Sequence, residues 1–568
     1  MKKYTFIVLI LIVAFFLRFY QLGTNPPSLT WDEAAWGYNA YSLGIDGKDE
    51  FGRFLPLDYL ESFGDFKPPV YAYLDVIPIR IFGLNEFAVR FPSAFLGVLT
   101  VLFTYFLTKR IFWQSERKNL YGLTSALILA ISPWHIMLSR AAFEANVATF
   151  FIVLGVFLFL TAVNSVKSQG VASFPPLGWK PIDTLGLRFL LLLSLSVISF
   201  VLSMYTFNTA RVVAPLLILS LAIGFRKELL QMRKQLLVAI IIGLILILPL
   251  AQFLTTPQAK LRFQEVNIFS DINVIKTANQ EIANDNNAFW SKLIHNRRLL
   301  YSVEYIKHYF DNLSPNFLFI RGDGNPKFST QTVGEMFLWD LPFFVVGIFL
   351  LFRKKEGYWW IIPIWLIVGI IPAGTARETP HALRIEATLP TFQIFTAIGI
   401  TTFLYWIKSS GIKKYFKYAI VFVIFSVLFL NFLYFYHDYL VHYPRIYSGE
   451  WQYGYKESIE YVRTVEENYD NVQITNALGR PYIYHLFYTN TNPDYFRKTA
   501  KVHRDVFGFV TVESFGKYIF PKNYSYSLDG NKKVLYINTP YNLPSSIKIL
   551  KTFYLLNGEA ILVAYTYD

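Results

Sequence analysis

The sequence contains no cysteine, so neither a disulfide nor a cysteine-based metal site can form. Charge is scarce as well. Only 16% of residues are Asp, Glu, Lys or Arg, against about 25% in soluble domains, and that deficit points to lipid. There is no glycine-rich phosphate loop, no internal repeat and no low-complexity tract. No pair of histidines stands at metal-ligand spacing.

What the chain has in quantity is apolar surface. Of its 568 residues 54% are hydrophobic, and 18% are aromatic, which suits interfacial belts of Trp and Tyr. The mean hydropathy is +0.35. The net charge of +14 does not indicate a nucleic-acid partner, because the Lys and Arg residues sit in short clusters between apolar runs.

Runs of roughly 17 apolar residues or more predict about eleven spans. They fall near 4–22, 90–108, 122–138, 146–164, 187–204, 209–225, 236–254, 337–352, 359–374, 386–405 and 417–435. Every second gap is basic: Lys2 and Lys3; Lys109, Arg110, Arg117 and Lys118; Lys167, Lys180 and Arg188; Arg226, Lys227, Arg233 and Lys234; Arg353, Lys354 and Lys355; Lys408, Lys413, Lys414 and Lys417. Cytoplasmic loops carry such an excess, so the expected topology is N-terminus inside and C-terminus outside. Arg18-Phe19-Tyr20-Gln21-Leu22 after the first run shows no small-residue cleavage pattern, which predicts a retained anchor. The fold class expected is therefore an all-α polytopic membrane bundle over residues 1–436, followed by a small extracytoplasmic α/β domain over 437–568. In that tail, Tyr455 to Tyr469 reads as helix, and Val472–Thr475, Lys533–Asn538 and Ala560–Tyr567 read as strands.

The chemistry gathers in the outer loops. The first, about 23–89, holds ten acids (Asp32, Glu33, Asp46, Asp49, Glu50, Asp58, Glu61, Asp65, Asp75 and Glu86) against Lys48, Arg53, Lys67 and Arg80. In Trp31-Asp32-Glu33, a carboxylate beside aromatics near the membrane surface could act as a general base. Asp32 could equally be the N-cap of a helix through Tyr38. In Phe66-Lys67-Pro68-Pro69, the prolines allow a helix to start just after a lysine. That lysine reads either as a phosphate ligand or as an interfacial cation. Glu86 and Arg90, four apart, can pair on a helix. Arg140 and Glu144, Asn208 and Arg211, and the crowded turn with Arg377, Glu378, His381, Arg384 and Glu386 lie at outer helix ends, where ionisable groups are costly and functional. His381 could join Glu86 or Glu378 on a metal, or be a hydrogen-bonded structural histidine. The middle outer loop, about 255–336, carries Arg262, His295, Asn296, Arg297, Arg298 and Arg321-Gly322-Asp323-Gly324-Asn325-Pro326 as acceptor or sugar contacts, the last stretch reading equally as a plain turn.

Trp31-Asp32-Glu33, Lys67-Pro68-Pro69 and Glu86…Arg90-Phe91-Pro92-Ser93-Ala94 together resemble the GT-C membrane glycosyltransferases, near the protein O-mannosyltransferases and the lipid A aminoarabinose transferases. Ser132-Pro133-Trp134…Arg140, Tyr205-Thr206-Phe207-Asn208…Arg211 and Pro380-His381…Arg384 extend the resemblance to about residue 400. It implies transfer of a sugar, with inversion, from a polyprenyl-phosphate carrier to a glycan, lipid or protein acceptor on the outer face of the plasma membrane. Asp32 would be the base, with Glu33 beside it. Lys67, Arg90, Arg140 or Arg384 would hold the carrier phosphate, and Glu86, Arg211, His381 and Arg321 would contact substrate. Some relatives use a divalent metal held by a Glu/His pair. Here only Glu86 and His381 offer themselves, and metal dependence stays open. The other class of function considered is a flippase for lipid-linked sugars; the absent repeat and the outer placement of the charges argue against it.

Overall fold

The computed structural model describes residues 4–167, 184–259, 267–504, 510–521, 532–541 and 543–567. Lys180 and Arg262 lie outside these residues. The chain divides into two compact units. One comprises Met1–Leu17, Leu96–Leu138 and Glu144–Leu433; the other comprises Arg18–Phe95, Ser139–Phe143 and Tyr434–Asp568.

The first unit is helical, and all eleven apolar runs fall on helices of the chain. Among the described residues, five helices are long and apolar enough to cross a membrane: Glu86–Ile111, Glu144–Lys167, Leu185–Met204, Arg233–Leu254 and the Lys414–Trp451 stretch. Two more spans form if each bent pair counts as one: Lys118–Ile131 with Pro133–Arg140, bent by 57°, and Ala382–Thr388 with Thr391–Ser409, bent by 61°. Both breaks fall at a proline, Pro133 or Pro390, which cannot donate to the preceding turn and pushes the residue before it out of helical geometry. Thr5–Phe19, Ala210–Gly224 and Ile361–Gly374 are apolar but shorter. In the Lys414–Trp451 stretch only 6% of the apolar window is buried. Water would not tolerate that much contiguous apolar surface, whereas acyl chains would. The chain is thus a multi-pass membrane protein. Where the Asp340–Lys354 and Thr391–Ser409 helices pack, glycines replace side chains. A Cβ on Gly347 would strike the Phe395 carbonyl oxygen, and one on Gly399 the Phe343 carbonyl oxygen.

The second unit combines the segment after the first apolar helix with the tail. Its loop part holds the Trp31–Asp46 and Val70–Phe82 helices and a hairpin of β1 (Leu60–Ser62) and β2 (Asp65–Lys67). Phe63 and Gly64 have φ of 64° and 76°, the two positive values that a type I′ turn requires, and Ser62 pairs with Asp65 across it. The tail part holds β3 (Asn471–Ile474), β4 (Lys501–Arg504), β5 (Val510–Phe515), β6 (Tyr518–Ile519), β7 (Val534–Asn538), β8 (Ile547–Tyr554) and β9 (Ala560–Tyr567) in one sheet ordered β4-β5-β6-β3-β7-β9-β8. Central β3 runs parallel to β6 and β7, and the remaining pairings are antiparallel. Helices Tyr455–Val465 and Pro481–Tyr488 flank β3 in sequence, with Tyr455 and Tyr484 stacked at 4.8 Å. Loop and tail share a core: Gly37 leaves room for Phe487 and Val89, whose carbons would stand 2.5 and 2.6 Å from an added Cβ.

Candidate active site

The Trp31–Asp46 helix begins with a capping box. Thr30 Oγ1 accepts from the Glu33 backbone N–H at 3.2 Å, and the Thr30 N–H donates to Glu33 Oε2 at 2.9 Å. The cap is therefore Thr30, not Asp32. The Asp32 side chain lies in the first turn and is 49% exposed.

Asp32 meets the ammonium of Lys67 in an ion pair. Lys67 closes β2, two residues before the Pro69 that starts the Val70–Phe82 helix, and its side chain is only 6% exposed. It is not an interfacial cation trailing in solvent. Its Nζ lies 5.0 Å from the centroid of a Trp36 ring and 5.3 Å from that of Phe63, so two π faces support the charge. A carboxylate on the Trp31–Asp46 helix and an ammonium at the end of β2 are thus brought together. The acid is open to solvent and the base is held in an aromatic wall.

The neighbouring carboxylate has a different office. Glu33 is fully buried, and its oxygens accept from Thr30 N–H, from Ala142 N–H at 3.0 Å and from Arg90 Nε at 2.9 Å. Arg90, equally buried, also donates to the carbonyls of Leu22, Pro26 and Ser28. The expected helical pair of Arg90 with Glu86 does not form. Glu86 pairs with Lys456 at 2.7 Å instead, because the tail offers a closer cation and the buried Glu33 claims the guanidinium. Arg140 is buried too, donating to the Arg18 and Asn25 carbonyls at 3.2 and 2.9 Å, with its guanidinium 5.4 Å from the Tyr439 ring. Glu33, Arg90 and Arg140 thus stitch the loop around residues 18–30 through these hydrogen bonds.

Beneath Asp32 lies a further acid. Glu50, fully buried, accepts from Tyr482 Oη at 2.9 Å and from Asn39 Nδ2 and Ser62 Oγ at 3.1 Å each. Burial pushes its pKa up to about 8, against the hydrogen bond from Tyr482. Asp75 is fully buried, neither of its oxygens finds a partner among the described residues, and burial holds its pKa well above the carboxylate range.

Arg211, Arg321, His381 and Arg384 belong to the helical unit. Arg211 donates from Nε to the Met204 carbonyl at 3.3 Å and lies 5.7 Å from the Phe253 ring. Arg321 is exposed, and the turn that follows it is built by Asp323. Asp323 Oδ1 accepts from Asn325 N–H at 2.8 Å, Oδ2 accepts from Ala382 N–H at 2.6 Å, and Asp323 N–H donates to buried Glu335 at 2.9 Å. This turn therefore clamps the turn carrying His381 and Arg384. His381 Nδ1 approaches Asp323 Oδ2 at 3.8 Å, and its ring lies against Phe328 at 5.0 Å. Burial, with Arg384 nearby, lowers the His381 pKa to about 3, while burial raises that of Asp323 to about 6. Near neutrality the histidine is uncharged and the approach is not an ion pair. In the middle loop His295 bonds Glu281 at 2.5 Å, and Asn296 caps the Arg297–Asp311 helix. Among the described residues no three His, Asp or Glu side chains converge as a metal site. Glu86 is committed to Lys456, and neither it nor His381 forms part of such a cluster.

The fold is one shared with solved structures of ArnT. Over 99% of this chain and 98% of the other, it superposes on ArnT from Cupriavidus metallidurans in the apo state, with a TM-score of 0.53 at 13% identity. Against the same protein bound to undecaprenyl phosphate the TM-score is 0.52 at 12% identity. Residues 8–267 match the family described as dolichyl-phosphate-mannose-protein mannosyltransferase. An uncharacterized protein of Aquifex aeolicus is 36% identical over 160 residues, which are 28% of this chain and 29% of that protein. The Archaeoglobus fulgidus oligosaccharyltransferase aligns over 86% of this chain with a TM-score of 0.49 at 14% identity. The chain spans 64% of that enzyme's length and under a third of the Aquifex protein's. A flippase gains no support from these likenesses.

Proposed function

We propose that this protein is an inverting glycosyltransferase of the plasma membrane, taking its sugar from a polyprenyl-phosphate carrier and acting on a glycan, lipid or protein on the extracytoplasmic face. The observation that carries the reading is the Asp32–Lys67 pair: a carboxylate in the first turn of its helix, half open to solvent, against a lysine seated in an aromatic wall. The family match over residues 8–267 supports the same donor class, as does the undecaprenyl phosphate bound by the structurally similar ArnT.

In this reading Lys67 exchanges its partner. The carrier's phosphate draws the ammonium away from Asp32, and Asp32 then accepts the proton of the acceptor hydroxyl. The hydroxyl oxygen forms its bond to the anomeric carbon as the bond from that carbon to the phosphate oxygen breaks, and the leaving phosphate keeps the electron pair. Lys67 stabilises the charge that builds there. General-base help from Asp32 contributes about 10²–10⁴-fold.

Asp32→Asn should keep polyprenyl-phosphate affinity and lose transfer by about 10²–10⁴-fold. Lys67→Ala should weaken that affinity. Full transfer by the first variant removes Asp32 from the mechanism, and unchanged affinity in the second reassigns the lysine to packing. Carrier lipid crossing the bilayer of liposomes without acceptor would favour a flippase instead.

A further inference from the structure

The same aromatic wall carries a second cation, contributed by the tail. Arg480 precedes the Pro481–Tyr488 helix, and its guanidinium carbon stands 5.0 Å from the centroid of the Phe63 ring that also faces Lys67. Its backbone is fixed in an unusual way. Gly479 and Arg480 both have positive φ, 84° and 46°, a costly conformation for a residue with a Cβ. At Gly479 an added Cβ would stand 3.0 Å from the Trp31 ring. Trp31, next to Asp32, thereby fixes where Arg480 begins. Among the described residues the Arg480 side chain makes no ion pair and no hydrogen bond, although most other arginines of this unit are so engaged. It forms part of the wall of a cavity of about 260 Å³, with Asn476, Tyr482, Thr511 and Phe520 among the other lining residues.

We propose that Arg480 binds the acidic group of an anionic sugar acceptor whose ring sits in this cavity. A planar guanidinium with its donors unspent matches a carboxylate or phosphate in two-point fashion. Tyr482 and Phe520, each only 3% exposed, close the cavity's apolar side, and Asn476 and Thr511 offer groups for a sugar's hydroxyls. The volume lies below the roughly 300–1,000 Å³ typical of sites that enclose drug-sized ligands, so it suits one monosaccharide and not a polyprenyl chain. The proposal rests on the transferase reading above, in which Lys67 serves the donor phosphate. It adds that the tail selects the acceptor.

The test uses the full-length protein in nanodiscs, with three probes: methyl glucuronide, methyl glucoside and undecaprenyl phosphate. Wild type should bind the glucuronide at least tenfold more tightly than the glucoside. Arg480→Gln should lose roughly ten- to hundredfold in glucuronide affinity, the range of one charge-assisted contact, with undecaprenyl phosphate binding unchanged. Arg480→Lys should keep part of the preference. Equal binding of the two sugars by wild type overturns the proposal, as does a glucuronide preference that survives Arg480→Gln. Loss of undecaprenyl phosphate binding in Arg480→Gln also overturns it, moving the arginine to the donor. Failure of the underlying reading shows separately, as unchanged undecaprenyl phosphate affinity in Lys67→Ala.

Discussion

At the scale of residues, Asp32 and Glu33 are neighbours with opposite environments, and environment sets what each can do. The Asp32–Lys67 pair is half open, with its carboxylate 49% exposed and its lysine only 6%, so it falls between the surface range of about 0–1 kcal/mol and the regime of a buried pair. The buried Glu33–Arg90 pair belongs to that second regime: removing one partner leaves the other charged and unsatisfied, at about 3–5 kcal/mol. Glu33→Gln or Arg90→Gln should therefore lower the thermal unfolding temperature steeply in detergent, whereas Asp32→Asn, at a carboxylate half open to water, should lower it less. Equal shifts in both would mean that Glu33 carries no more of the fold than Asp32. The Thr30-x-x-Glu33 spacing is itself a capping-box signature, so the cap is legible in the sequence. Partner choice was not readable. Glu86 stands four residues from Arg90, and only the fold brings Lys456 to it across 370 positions.

At the scale of elements, helix crossings depend on where side chains are missing. Gly399 lies against a backbone carbonyl, which cannot rotate aside as a side chain could. Gly399→Val should cost about 1–3 kcal/mol or more through overpacking. Gly411, with nothing within 4 Å of its Cβ position, should accept alanine with little change. Comparing the two unfolding temperatures checks this, and indistinguishable values would show that the crossing is loose. The apolar runs were legible from sequence because lipid imposes a one-dimensional signal, a length of unbroken hydrophobicity. The breaks at Pro133 and Pro390 were written there too, as prolines inside runs otherwise read as continuous. The β-strands of the tail were legible at β3, β7 and β9, which are rich in branched and aromatic residues. Short β6 and the charged, exposed β4 carry no such pattern.

At the scale of the whole molecule, buried acids make stability a function of pH. Glu50 faces Asp49 and Lys67 and is bonded by Tyr482, and its pKa rises from 4.5 to about 8 on folding. The folded state then holds a proton that the unfolded chain has released, so stability falls as pH rises from about 4.5 to about 8. Glu50→Gln should flatten this part of the unfolding-temperature profile. A profile as steep as that of wild type would place the titration elsewhere, Asp75 being the next group to replace. Neither Glu50 nor Arg480 stood out in the sequence, since an acid among ten in one loop and an arginine in a tail of ordinary composition acquire meaning only through their neighbours in space.

The assignment of the helix cap to Thr30 has a practical sequel. A protein whose proposed proton acceptor is not the helix cap can be silenced by one amide and still be made folded. Such an inert twin, incubated with envelope extracts, would hold donor and acceptor side by side without consuming them. The chemical identity of both could then be read by mass spectrometry from what co-purifies.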